Sequence, residues 1–246
     1  MNYLRSLGLA VLAALSVMAF MGAGVASASE PIATPNPVGF PVAFTGVGGT
    51  GTLETTPDSG GAVHKVHCTA SSSSGELSSA STTKTPVVRF TGCTDPSTGA
   101  NCKSTGAAAN EIVTNKLHGT LVYLETGKSR TGVLLKPETG TTFAAFTCVA
   151  IFGITAHLSV TGEVLGELTP VNVQTKDFTL TFKKAAGHPI PSSYLNPTGC
   201  AHVSTTDALK ASSTGASVWG PLTSGLEGSQ TLTFSKEVKI DATSCS

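Results

Sequence analysis

Short apolar and β-branched runs alternate along this chain with spacers of Gly, Pro, Ser, Asp and Asn. The clearest run holds Phe178, Leu180 and Phe182 on one face of a strand and Thr179 and Thr181 on the other. The same Thr-Leu-Thr-Phe returns at 231–234, which reads as a second strand with the same job. The pattern is densest over 111–149, where runs at 112–113, 117–124, 131–135 and 141–149 are divided by Gly127-Lys128-Ser129 and Pro137-Glu138-Thr139-Gly140. Both spacers carry hairpin-turn chemistry and predict an antiparallel meander. Leu121-Val122-Tyr123-Leu124 is apolar on both strand faces, so that strand is expected to be central, covered on both sides and to bury Tyr123.

The flanking stretches are read the same way. Four prolines at 31, 35, 37 and 41 predict a lead-in over 29–41 that lies along an edge. Runs at 42–46 and 50–56 around Gly48-Gly49 suit a hairpin or wide turn, and Asp58-Ser59-Gly60-Gly61 is a turn before a strand at 63–70. The stretch 71–85 is nearly all Ser, Thr, Ala and Gly and predicts an exposed edge strand or a solvated loop. Runs at 151–161 and 163–168 extend the meander, with Gly162 and Gly166 as kinks or bulges. An irregular excursion is expected over 185–228, with composition for one short helix at 206–212. The fold class is therefore all-β: an antiparallel β-sandwich or partly closed β-barrel, one domain over 42–246.

The N-terminus sets the expected compartment. Arg5, an apolar run at 7–21 and Ala26-Ser27-Ala28 make a signal peptide over 1–28, cleaved after Ala28, with export into an oxidising space. The apolar run is shorter than the roughly 20 residues of a spanning helix, and no integral membrane segment is expected in the mature chain. Fifteen basic residues balance fifteen acidic ones, and losing Arg5 with the signal peptide gives the mature chain a single net negative charge. Its scattered Lys and Arg do not form a nucleic-acid footprint. Only 12% of residues are charged, while Val, Ile, Leu and Phe are plentiful enough for a packed core.

All six cysteines fall after residue 28, an even number that predicts a disulfide-stapled fold. Fifteen pairings exist for six cysteines. The expected set is Cys93 with Cys102 across a turn-rich loop, Cys68 with Cys148 across the central block, and Cys200 with Cys245 at the C-terminal end.

Chemical motifs are sparse. His64-Lys-Val-His67-Cys68 and Cys200-Ala-His202 are the ligand-like clusters, yet His64 and His67 point to opposite strand faces and the second lacks a third ligand. Glu163 and Glu167 share a face about 13 Å apart, longer than either glycosidase mechanism uses. There is no Gly-x-Ser-x-Gly elbow, phosphate loop, dinucleotide fingerprint or His-Glu-x-x-His motif, so no cofactor is expected. Trp219 and Tyr194 are the candidate ligand-binding aromatics, because both sit in the irregular stretch where a binding loop belongs.

One resemblance follows from the order of several motifs: Cys68, then Phe90-Thr-Gly-Cys93, Cys102-Lys-Ser, Glu111-Ile-Val-Thr-Asn-Lys-Leu-His-Gly, Leu134-Leu-Lys-Pro-Glu, Phe146-Thr-Cys148, and Gly162-Glu-Val-Leu-Gly-Glu-Leu-Thr-Pro-Val-Asn172. This order resembles a group of secreted proteins of high-GC Gram-positive bacteria over residues 50–183. No activity is assigned to that group, so the resemblance implies location and a β-rich fold and transfers no functional residue. Cys200 and Cys245 lie outside it. The expectation is a secreted, non-enzymatic structural or binding module with an envelope or extracellular partner. The alternative is a hydrolase whose His and Ser residues are brought together by folding.

Overall fold

The computed structural model describes residues 31–125, 130–195, 200–204 and 208–242. The signal-peptide stretch and its cleavage site, the 127–129 turn and Cys245 lie outside the described residues. In chain order the strands are β1 (Ile32–Asn36), β2 (Val42–Gly48), β3 (Gly51–Thr55), β4 (Lys65–Cys68), β5 (Ala70–Leu77), β6 (Thr82–Thr91), β7 (Thr94–Asp95), β8 (Ala100–Lys103), β9 (Ile112–Val113) and β10 (Leu117–Tyr123). They continue as β11 (Thr131–Pro137), β12 (Thr142–Val149), β13 (Thr155–Thr161), β14 (Val164–Thr169), β15 (Gln174–Ala185), β16 (His188–Ile190), β17 (Ser193–Leu195), β18 (His202–Ser204), β19 (Lys210–Gly215) and β20 (Trp219–Asp241). A 3₁₀ turn spans Ile151–Gly153.

Antiparallel pairing closes on itself. In one tier the ring runs β2, β5, β6, β10, β11, β14, β15, β20 and back to β2. In the other it runs β3, β4, β7, β8, β12, β13, β19, β20 and back to β3. Most positions are the same stretch of chain carried through both tiers. β4 and β5 hold one register against β3 and β2, with Gly51 opposite Cys68 and Gly48 opposite Ser71. The 23-residue β20 runs the full length. The result is one closed eight-position barrel, with β1 extending the wall along β20 and β16 to β18 lying outside. Of the two architectures expected, closure selects the barrel, which abolishes the exposed edges a sandwich leaves.

Inward positions fill the barrel. Val42 and Phe44, Leu117 and Leu121, Phe178, Leu180 and Phe182, and Leu232 and Phe234 all belong to one buried core. The two Thr-Leu-Thr-Phe runs are neighbours, with Phe178 opposite Leu232. Val122 and Leu124 turn outward and are covered with Leu134, Leu165 and Tyr194, so β10 is buried on both faces, as is Tyr123.

Several local expectations are corrected. Gly48-Gly49 does not reverse the chain: β2 and β3 both lie along β20, and the glycines mark a step between tiers. The 137–140 spacer likewise bulges, since β11 pairs with β14 and β12 continues against β13. Residues 70–77 are neither edge nor loop but a central stave between β2 and β6. Its inward Ser71 and Ser73 are satisfied by Gln230, which donates to Ser71 Oγ at 2.9 Å and accepts from Ser73 Oγ at 2.7 Å. The described parts of 185–228 are largely extended, and Lys210–Gly215 is strand where the end of a short helix at 206–212 was expected, because it pairs with β13 on one side and β20 on the other; positions 206 and 207 lie outside the described residues.

The cysteine pairing also differs from expectation. Cys68 bonds Cys93 and Cys102 bonds Cys148, with both Cα pairs 4.0 Å apart. The register explains the choice. His67 faces Thr94, Thr94 faces Asn101 and Cys148 faces Cys102, so the four cysteines form one inward row, on β4, just before β7, on β8 and on β12. Cys102 N–H donates to the Cys93 carbonyl at 3.0 Å. Hydrogen-bonded neighbours hold Cα atoms about 5.5 Å apart and non-hydrogen-bonded neighbours about 4.5 Å, so each bridge forms on the closer side. Cys68 and Cys148 stand three strand spacings apart, roughly 14 Å, beyond disulfide reach. Cys200 is disulfide-bonded, while Cys245, its expected partner, lies outside the described residues.

Candidate functional site

Eight strands leave an interior just wide enough for side chains, and the barrel core retains internal cavities of about 70 and 50 Å³. A cleft of about 380 Å³ opens instead at the end of the β3-containing tier. Ligand sites commonly occupy roughly 300 to 1,000 Å³; this cleft falls in that range, as do two more polar surface clefts of about 380 and 590 Å³, while the core cavities fall below it. Four connections surround it: 56–64 between β3 and β4, 96–99 between β7 and β8, 150–154 between β12 and β13, and 216–218 between β19 and β20. Its walls include Leu53, Val66, Ala156, Leu158 and Ala211, with His64, Ser97, Ser213, Ser217 and Trp219 among the polar-bearing groups.

Trp219 is half-buried at this mouth, its ring stacked on His64 with centroids 4.1 Å apart and planes 7° apart. The 56–64 connection fixes that arrangement. Asp58 accepts the backbone N–H groups of Gly60 at 2.8 Å and Ala62 at 2.9 Å, closing the turn. Its second oxygen lies 3.1 Å from His64 Nε2, and His64 N–H donates to Thr55 Oγ1 at 3.1 Å. The Ala62 N–H, followed by the His64 contact, holds the Asp58 carboxyl below its ordinary range. A carboxylate thus orients an imidazole, and the imidazole backs the indole.

Serines share the cleft with this His-Asp pair without engaging it. Ser213 Oγ donates to the Ser217 carbonyl at 2.8 Å, and Ser97 Oγ donates to Asp95 at 2.6 Å. Among the described residues no serine hydrogen-bonds His64. The arrangement offers a flat aromatic platform over an apolar floor, with hydroxyls and backbone groups at the rim.

The other sequence candidates are dispersed. Tyr194 caps the outer Val122, Leu134 and Leu165 cluster, and burial, followed by the nearby Glu163 charge, raises its phenol. It lies on the wall and does not line the mouth. His67 turns outward to Thr52 Oγ1 at 3.1 Å while Cys68 is bridged inside, so the 64–68 cluster does not converge. Glu167 is engaged by Arg130 Nε at 2.8 Å and by Lys183, the wall ion pair that holds its carboxyl low. The role of His64 beside Trp219 was missed in the sequence. The available signal was the Asp58-Ser-Gly-Gly turn just before it.

No family model, curated protein or solved structure matches this chain.

Proposed function

We propose that this protein is an exported, non-enzymatic binding module of the cell envelope or extracellular space that takes a small, mainly apolar ligand at the barrel mouth. The observation that carries this reading is the Trp219 and His64 stack inside a ligand-sized, largely apolar cleft. Aromatic rings held flat by a neighbour bind planar or aliphatic groups with little loss of side-chain freedom. The two bridges among Cys68, Cys93, Cys102 and Cys148 fit an oxidising compartment, and the outer wall of β15 and β20 presents Thr and Ser. No helix among the described residues is long and apolar enough to cross a membrane.

The test uses the fact that Trp219 is the sole tryptophan. Titration with the uncharged probe N-phenyl-1-naphthylamine is expected to give saturable, one-to-one quenching of its emission. Probe emission should rise in parallel, and His64→Ala with Trp219→Leu should weaken binding by about tenfold or more. Absence of saturable binding, or binding unchanged in that double variant, would overturn the reading.

Asp58, His64 and the cleft serines favour a second reading, a hydrolase. It requires a serine to reach His64 on ligand binding. Covalent labelling of a cleft serine by a fluorophosphonate, abolished by His64→Ala, would establish it in place of the first.

A further inference from the structure

We propose that the mouth end of the barrel seats on an uncharged or zwitterionic lipid surface, led by the 150–154 and 216–218 tips. Large apolar side chains stand out in water there: Phe152 is 97% exposed, Val218 79%, Ile151 71% and Ile154 55%. The two tips are neighbours. β13 pairs with both β12 and β19, and Ala216 N–H donates to the Thr155 carbonyl at 3.0 Å, tying one tip to the other.

The outward pose of Phe152 is built into the backbone. Ala150 N–H donates to Ile154 C=O at 2.8 Å, Gly153 N–H to Ala150 C=O at 3.2 Å, and Thr155 Oγ1 to Gly153 C=O at 3.0 Å. Inside this bonded turn Phe152 adopts φ 65°, a left-handed conformation rare for an aromatic residue. A closed, strained turn that presents a phenylalanine to solvent is organised for something outside the chain.

Three features favour lipid over a protein partner. The apolar groups project from narrow tips, whereas a stable protein interface buries roughly 1,200 to 2,000 Å² over a continuous patch. Neither 149–159 nor 211–219 contains Asp, Glu, Lys or Arg, so nothing there fixes orientation against a charged partner or attracts anionic headgroups. Entry of a few such side chains, roughly 5 to 10 Å into the headgroup and acyl boundary, is the geometry of interfacial binding. Asp58, on the 56–64 connection, and Asp95, at the end of β7, flank the mouth half-exposed and oppose an anionic surface. This seating does not depend on the cleft taking a ligand.

The experiment is flotation of the full exported chain with phosphatidylcholine vesicles. Wild type should float, and Phe152→Ser with Val218→Ser, both at exposed side chains, should lower partitioning by about tenfold or more. His64→Ala alone, which removes the ring stack and leaves both tips unchanged, should float like wild type while weakening probe binding, which separates this proposal from the binding reading. Three results would overturn it: no flotation of wild type, flotation indifferent to the tip substitutions, or flotation only with anionic lipid and lost in salt. A dimer in gel filtration that the tip substitutions dissolve, without vesicle binding, would assign the tips to a second copy.

Discussion

Single residues decide how a wall this poor in bulky side chains stays packed. Gly46 sits where a Cβ would meet Leu232 Cδ2 at 2.8 Å and Gln230 Oε1 at 2.9 Å, and this close approach lets Gln230 reach Ser71 and Ser73. Replacing Gln230 by Leu strands the buried Ser71 hydroxyl and the half-buried Ser73 hydroxyl, at an expected cost of about 1–3 kcal/mol. Urea denaturation should show the loss, and an unchanged midpoint would mean the serines are satisfied elsewhere. Glu54 offers a second case. It is buried and accepts Lys184 Nζ at 2.8 Å, and that hydrogen bond, with a further one from Lys65, outweighs burial and keeps its carboxyl below the ordinary range. A depressed folded value means stability that is present above the unfolded value of about 4.3 and lost as pH falls through the folded one. Acid unfolding followed by circular dichroism should therefore begin at higher pH in Lys184→Met. An identical acid limb would remove Lys184 as the cause.

At the scale of elements, β20 is the common wall of both tiers and carries partners on both sides over much of its length. Its central amides, around Leu232, are expected to exchange last in deuterium. Those of β16 and β18, paired along one side only, should exchange well before them. Protection spread evenly over these strands would contradict the two-tier ring. Strands with strict alternation, such as β15 with Phe178, Leu180 and Phe182, were legible in the sequence because burial on one face imposes period two. β5 was not, since Ser71 to Ser74 carries no hydrophobic period and its polar partner, Gln230, is 157 residues from Ser73. Gly48-Gly49 and Pro137 to Gly140 were misread as reversals for a related reason. Glycine permits a turn and a bulge alike, and only distant pairing with β20 or with β13 and β14 selects between them.

For the molecule as a whole, closure gathers four connections at one end and makes a mouth that no local motif announces. Trp219 was legible as a candidate because a lone tryptophan in a loop-rich stretch invites the reading. His64 was not, because its stacking partner lies on a strand far along the chain. The same closure sets the cysteine row, in which bridges span 25 and 46 residues and each contributes roughly 3.5 to 4 kcal/mol on the chain-entropy estimate. Replacing Cys102 and Cys148 by alanine should accordingly lower stability by about 2–4 kcal/mol while leaving the fold assembled, with calorimetry as the check. The ring order itself is tested most directly by non-reducing peptide mapping of the protein purified with its disulfides intact. Peptides carrying Cys68 and Cys93, and peptides carrying Cys102 and Cys148, are expected to be joined. A Cys93 to Cys102 link would contradict the register on which the barrel and its mouth depend.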